Sequence, residues 1–182
     1  VLFPGIVIPI TVGRTKSIRL AQEFARTDEP IGVVTQKEND IEEPTINDIY
    51  KVGTMARILK FVAMPDGSVT IIVQGIKRFT ILDLVQTEPY YRASVIEYEC
   101  NDCNPKTRNK KVFKALMDSL RDAAISMIKL SNHLPKEAIF ALKNIESPTF
   151  LVNFITTNLS IEVVEKQNLL ENPDIEDRAK QV

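Results

Sequence analysis

The chain reads as an α+β protein, with a β-rich N-terminal half carrying one helix and a helical C-terminal half. Three observations predict this. Residues 1–99 are rich in β-branched residues and punctuated by Gly and Pro. Beyond residue 110 apolar residues recur at helical spacing. Between the two lies a polar stretch, Cys100-Asn-Asp-Cys-Asn-Pro-Lys-Thr-Arg-Asn109. The expected organisation is a β-barrel subdomain over 1–99, a linker over 100–109 and a helical bundle over 110–182.

In the first half, Ile6-Val-Ile8 and Ile31-Gly-Val-Val34 read as short buried strands. Between them Ile18, Ala21, Phe24 and Ala25 line one face of a helix. Tyr50 to Ala63 reads as one long strand, bent by a bulge near Gly53. Pro65-Asp66-Gly67 is a hairpin signal, because Pro presets φ and Gly supplies a left-handed residue. Ser68 to Val73 then returns antiparallel, with Val69, Ile71 and Val73 on one face. Arg78–Leu82 and Tyr91–Ile96 supply two more strands. Closing such a sheet into a barrel protects many short strands from edge pairing.

In the second half, Phe113, Leu116, Leu120, Ala124, Met127 and Leu130 form one helical stripe. Pro135 suits the first turn of the next helix, with Ala138, Ile139 and Leu142 inward. Ser147 caps a third, which buries Phe150, Leu151, Phe154 and Ile155. A fourth covers 161–171, and Pro173 opens a last short one.

Composition narrows the function classes. With 44% hydrophobic and 26% charged residues, the balance is that of a soluble globular protein. A net charge of −1 provides no global basic field for nucleic acid or anionic lipid. No apolar run approaches the roughly 18 residues that span a bilayer. No signal-peptide pattern is seen, and two cysteines make no disulfide framework, so a cytoplasmic setting is expected.

No residue carries a convincing catalytic signature. Gly13-Arg-Thr-Lys-Ser17 has Thr15 and Ile10 where a phosphate loop needs glycine. Cys100 and Cys103 form a lone C-x-x-C, with His133 the sole histidine, so four zinc ligands are not assembled. Acidic neighbours Glu97, Glu99 and Asp102 would raise a thiol pKa, which disfavours a redox pair. Glu38, Asp40, Glu42, Glu43 and Asp48 read as a solvated acidic loop. Catalytic, cofactor and metal residues are therefore all expected to be absent. Phe3, Pro4, Met64, Tyr90 and Tyr91 place apolar groups at turns and strand starts, where exposed ones would mark a protein-binding patch. Arg14, Lys16 and Arg19 add cations at a helix start, a position they do not stabilise. These eight residues are the candidate polypeptide-binding surface.

An ordered set of backbone-directing motifs adds a family. Val1-Leu-Phe-Pro-Gly5, Pro9-Ile-Thr-Val-Gly-Arg14 and Val52-Gly-Thr-Met-Ala-Arg57 come first. Met64-Pro-Asp-Gly67, Gln74-Gly-Ile-Lys-Arg-Phe79 and Glu88-Pro-Tyr-Tyr-Arg-Ala93 follow. Glu165-Lys-Gln-Asn-Leu-Leu-Glu171 and Arg178 continue the pattern through the second half. Together they resemble the N-terminal domain of the ATP-dependent protease Lon. The resemblance implies a PUA-like pseudo-barrel, and a further strand ahead of the Leu2-Phe-Pro-Gly5 motif whose lack would leave an open barrel edge. It also implies a non-catalytic role in engaging unfolded or degron-bearing proteins and in assembling a homo-oligomeric ring. ATP, Mg and the serine nucleophile would belong to other modules of a parent chain. Alternatives from other classes are a stand-alone Lon-domain adaptor, a PUA-like RNA-binding module and a thiol enzyme.

Overall fold

The computed structural model describes residues 1–27, 29–38, 40–65, 67–98, 110–130 and 137–182. Asp66, the stretch 100–109 with Cys100 and Cys103, His133 and Pro135 lie outside the described residues. The fold is mixed: an antiparallel sheet and helices. The chain divides into two compact units, Val1–Tyr98 and Glu99–Val182.

The first unit runs β1 (Val7–Val12), α1 (Thr15–Phe24), β2 (Ile31–Val33), β3 (Val52–Ala63), β4 (Val69–Gln86) and β5 (Arg92–Glu97). All ladders are antiparallel, in the order β1-β4-β3-β2, with β5 on the second half of β4. Alternation sorts the side chains. Ile8, Ile10 and Val12 of β1 turn inward, while Pro9 and Thr11 face solvent. Val69, Ile71 and Val73 are the buried face of β4, as their period-two spacing predicts. α1 lays Ile18, Ala21 and Phe24 on this core, completed by Leu2, Ile31 and Ala56. Gly67 turns the β3–β4 hairpin at φ 85°, a conformation that favours glycine.

Three features depart from the expectations. The segments read as separate strands, 68–73 and 78–82, are parts of one β4, because Gly75 and Lys77 keep pairing with Ala56 and Met55 of β3. The bulge follows from this continuity. Ile76 is the extra residue there, while Gly53 stays in register with Phe79. Glycine is required at 53 for another reason: a Cβ there would sit 2.6 Å from the Val33 carbonyl oxygen. Finally, among the described residues no ladder joins β2 to β1, so the sheet is not closed. Two long strands carry most of the pairing. β2 is three residues long, and β1 carries Pro9, which has no N–H to offer a partner.

The second unit runs α2 (Lys110–Leu130), α3 (Glu137–Lys143), α4 (Pro148–Asn158), α5 (Val163–Glu171) and α6 (Ile175–Gln181). Ala124, Ile125 and Ile128 of α2 meet Leu142, Leu151 and Ile155. Met117 packs in a neighbouring cluster with Val152, Ile175 and Ala179. Met127, placed inward by the sequence stripe, is exposed; the buried phase continues from Ala124 to Ile128, one full turn on. The Ser147 hydroxyl accepts from the Phe150 N–H, which makes it the α4 N-cap. Gln167 and Arg178 are buried polar residues, and Arg178 donates to Asn153 Oδ1 at 3.0 Å.

Candidate functional site

The N-terminal motif is a plug. Leu2 and Phe3 are buried, Phe3 to 1% exposure, and the Thr54 hydroxyl donates to the Leu2 carbonyl at 2.6 Å. Gly5 and Gly75 are linked backbone to backbone, and Gly75 N–H donates to the Ile6 carbonyl. A side chain at 75 would collide with the Phe3 backbone, so glycine lets the two segments cross. Phe3 therefore supports the surface from beneath, and Pro4 beside it is half-buried.

The basic start of α1 is tied down at two of its three cations. Arg14 Nη2 donates to Gln36 Oε1 at 2.8 Å and to the Ile41 carbonyl at 2.9 Å. It thereby fastens the acidic loop, which also holds itself: the Thr45 hydroxyl donates to Asp48 Oδ2 at 2.6 Å. That bond, with the one from the Thr45 backbone N–H, keeps the Asp48 carboxyl below its ordinary value. Lys16 pairs with Glu88 at 2.8 Å and lies 5.1 Å over the Tyr91 ring. Glu88 raises the Lys16 ammonium above the usual lysine value. Arg19 forms no hydrogen bond or ion pair among the described residues.

Tyr90 anchors rather than contacts. It is 4% exposed, stands edge-on to Phe24 at 5.9 Å, donates its hydroxyl to Glu23 and accepts from Arg92. Tyr91 is half-buried, and Met64 is exposed at the β3–β4 turn. The structure thus brings Lys16 to Tyr91, and Arg19 to Tyr90 across a shared groove.

Sequence reasoning misses a second set of apolar groups. Every residue left over at a register shift of β3 or β4 is an exposed hydrophobe: Leu59, Ile76, Leu82 and Val85. A bulge inserts an unpaired residue and re-aims its side chain, so these four leave the buried alternation. On the β4–β5 hairpin, Leu82 is 56% exposed, Val85 66% and Ile96 52%. Thr80 pairs with Ile96, and Leu82 lies two residues further along β4. The sequence holds a signal. Ile81-Leu-Asp-Leu-Val85 has more apolar residues than one buried face of a period-two strand can absorb.

Among the described residues, no group of three His, Cys, Asp or Glu side chains is placed to hold a metal ion. Nor is any described helix long and apolar enough to cross a membrane. In the Gly13–Ser17 segment, Lys16 pairs with Glu88 and Thr15 begins α1.

Comparisons with known proteins give the family. The family described as "ATP-dependent protease La (LON) substrate-binding domain" matches residues 1–182. A Lon protease from Flavobacterium johnsoniae is 48% identical over 179 residues, covering 98% of this chain and 22% of that protein. A Lon protease from Cytophaga hutchinsonii is 46% identical over the same length, also covering 22% of the relative. Among solved structures, the N-terminal domain of Mycobacterium avium complex Lon protease superposes with a TM-score of 0.73. It is 20% identical and covers 99% of this chain and 89% of that one. An antiparallel sheet built on the Phe3–Gly75 crossing, the helices that follow it and a family match along the whole length agree: the chain belongs to the Lon substrate-binding domain family.

Proposed function

We propose that this chain is the non-catalytic recognition part of a Lon-like ATP-dependent serine protease and holds unfolded or degron-bearing proteins for it. The observation that carries this is the row of exposed hydrophobes lifted out of the sheet by bulges, in a chain of the substrate-binding family. Such groups bind many sequences weakly, as a degradative enzyme requires. Leu82, Val85 and Ile96 form the apolar part, with Pro4, Met64 and Tyr91 as further contacts. Arg14, Lys16 and Arg19 supply a salt-sensitive part, and buried Phe3 and Tyr90 hold the backbone beneath. The remaining parts of the reading rest on the family. They are a PUA-like pseudo-barrel over 1–99, a linker over 100–109, a helical bundle over 110–182, a cytoplasmic setting and a ring of subunits. ATP and Mg belong to the parent's ATPase module. The test compares one protein in two states. The chain should bind a permanently unfolded, reduced and alkylated protein and not its native form, without hydrolysing ATP. Equal binding of both states would contradict the proposal.

A further inference from the structure

An open groove of about 530 Å³ lies between α1 and the turn before β5, lined by Arg19, Gln22, Glu23, Arg26, Pro89 and Tyr90. Its charges are arranged unevenly. Arg19 and Arg26 are exposed and form no ion pair among the described residues. Glu23 stands between them in the chain, four residues after Arg19 on α1, yet its Oε1 accepts from the Tyr90 hydroxyl at 3.0 Å. Behind Tyr90, Arg92 donates to the same hydroxyl at 3.2 Å. One turn before Arg19, Lys16 is engaged by Glu88. Two exposed guanidinium groups, with no ion pair among the described residues, therefore stand at the ends, a committed carboxylate stands in the middle, and Pro89 gives an apolar wall.

We infer that this groove binds extended acidic polypeptide segments, with two carboxylates flanking an uncharged, apolar stretch. Arg19 lies on α1, and Arg26 lies two residues beyond its end at Phe24, so the two arginines flank Glu23 along the groove. An extended ligand advances roughly 3.3 Å per residue, so two carboxylates separated by a short neutral stretch are offered to the two arginines. A carboxylate at either end meets the positive charge of a guanidinium. A charge between them would face Glu23 and be repelled, so the middle of the ligand is neutral and packs on Pro89. Nucleic acid fits less well, because Glu23 interrupts the basic track and Tyr90 is too buried to stack a base. The inference rests on the polypeptide-recognition reading and adds a selectivity that apolar contact alone does not supply.

The test uses fluorescein-labelled peptides with the core Glu-Ala-Phe-Glu, the Gln-Ala-Phe-Gln isostere and Glu-Glu-Phe-Glu, with fluorescence anisotropy as the readout. At low salt the first should bind about tenfold more tightly than the second, a difference worth about 1.4 kcal/mol. The third should lose part of that advantage. The advantage should shrink at high salt, where exposed charges are screened within about 3 Å. The pair Arg19→Glu and Arg26→Glu should remove it, and Arg19→Lys with Arg26→Lys should keep most of it; both variants should melt like the parent. Equal binding of the acidic and neutral peptides, or tighter binding of a single-stranded RNA of matched charge, would overturn the inference. An unfolded neutral protein separates the two readings. If it binds while the peptides do not differ, the groove inference alone falls. If the acidic peptide binds through the arginines while the unfolded protein does not bind, the general reading falls and the groove stands. If nothing binds, both fall.

Discussion

Gly75 sits where the N-terminal segment crosses β4, with hydrogen bonds of 2.9 Å to Ile6 and Gly5 on either side. A Cβ there meets the Phe3 carbonyl, which is backbone and cannot swing away. Gly75→Ala should cost about 1–3 kcal/mol in urea unfolding, the usual range for overpacking. Gly13, with open space around it, should accept Ala within about 0.5 kcal/mol. Asp48 gives a pH prediction. Thr45 bonds the charged carboxylate, so its contribution is complete above the unfolded-state pKa and is lost as pH falls through the lower folded-state value. A carboxyl NMR titration should find Asp48 ionising below the ordinary range, and Thr45→Ala should move it up. An Asp48 midpoint indifferent to that change would contradict the assignment. At this scale Tyr90 also explains why the residues in the Glu88–Ala93 motif differ in role. Tyr90 points into the unit and Tyr91 lies at its edge under Lys16, a distinction that two adjacent tyrosines in a sequence do not display.

Elements whose ends are set by local chemistry are legible in the sequence. Ser147-Pro148 places a hydroxyl cap and a preset φ side by side, and α4 starts there. Ser147→Ala should cost about 1 kcal/mol, measured by thermal or urea unfolding. Gly67 marks its turn for the same local reason. The β4 bulges are not legible, because a bulge is a property of two strands in register and emerges only when the partner is known. Gln74-Gly75 looks like a strand end, yet backbone pairing to Ala56 carries the strand through it. The α2 stripe is legible but slips at its end: Met127 and Ile128 are both apolar, and only the packing against α3 and α4 chooses between them. The candidate site shows the same division. Its cations are readable from Arg14, Lys16 and Arg19, whereas its largest apolar groups depend on the bulges.

For the whole molecule, the proposed recognition is a matter of weak contacts repeated. Three half-exposed aliphatic side chains and a few screened charges give one copy low affinity. In the proposed ring of copies, effective concentration would convert this into avidity without any new contact. The 182-residue chain should accordingly bind unfolded protein only at high concentration. Tethering several copies should tighten binding by about two orders of magnitude. The most direct measurement is the binding isotherm of an unfolded, neutral, apolar-rich protein to the variant Leu82→Ser, Val85→Ser, Ile96→Ser. These side chains are more than half exposed, so the variant should unfold within about 1 kcal/mol of the parent. If the bulge-lifted face is the recognition surface, its affinity should fall by about tenfold or more, in keeping with the apolar area removed. A folded variant that binds as tightly as the parent would show that the polypeptide docks elsewhere.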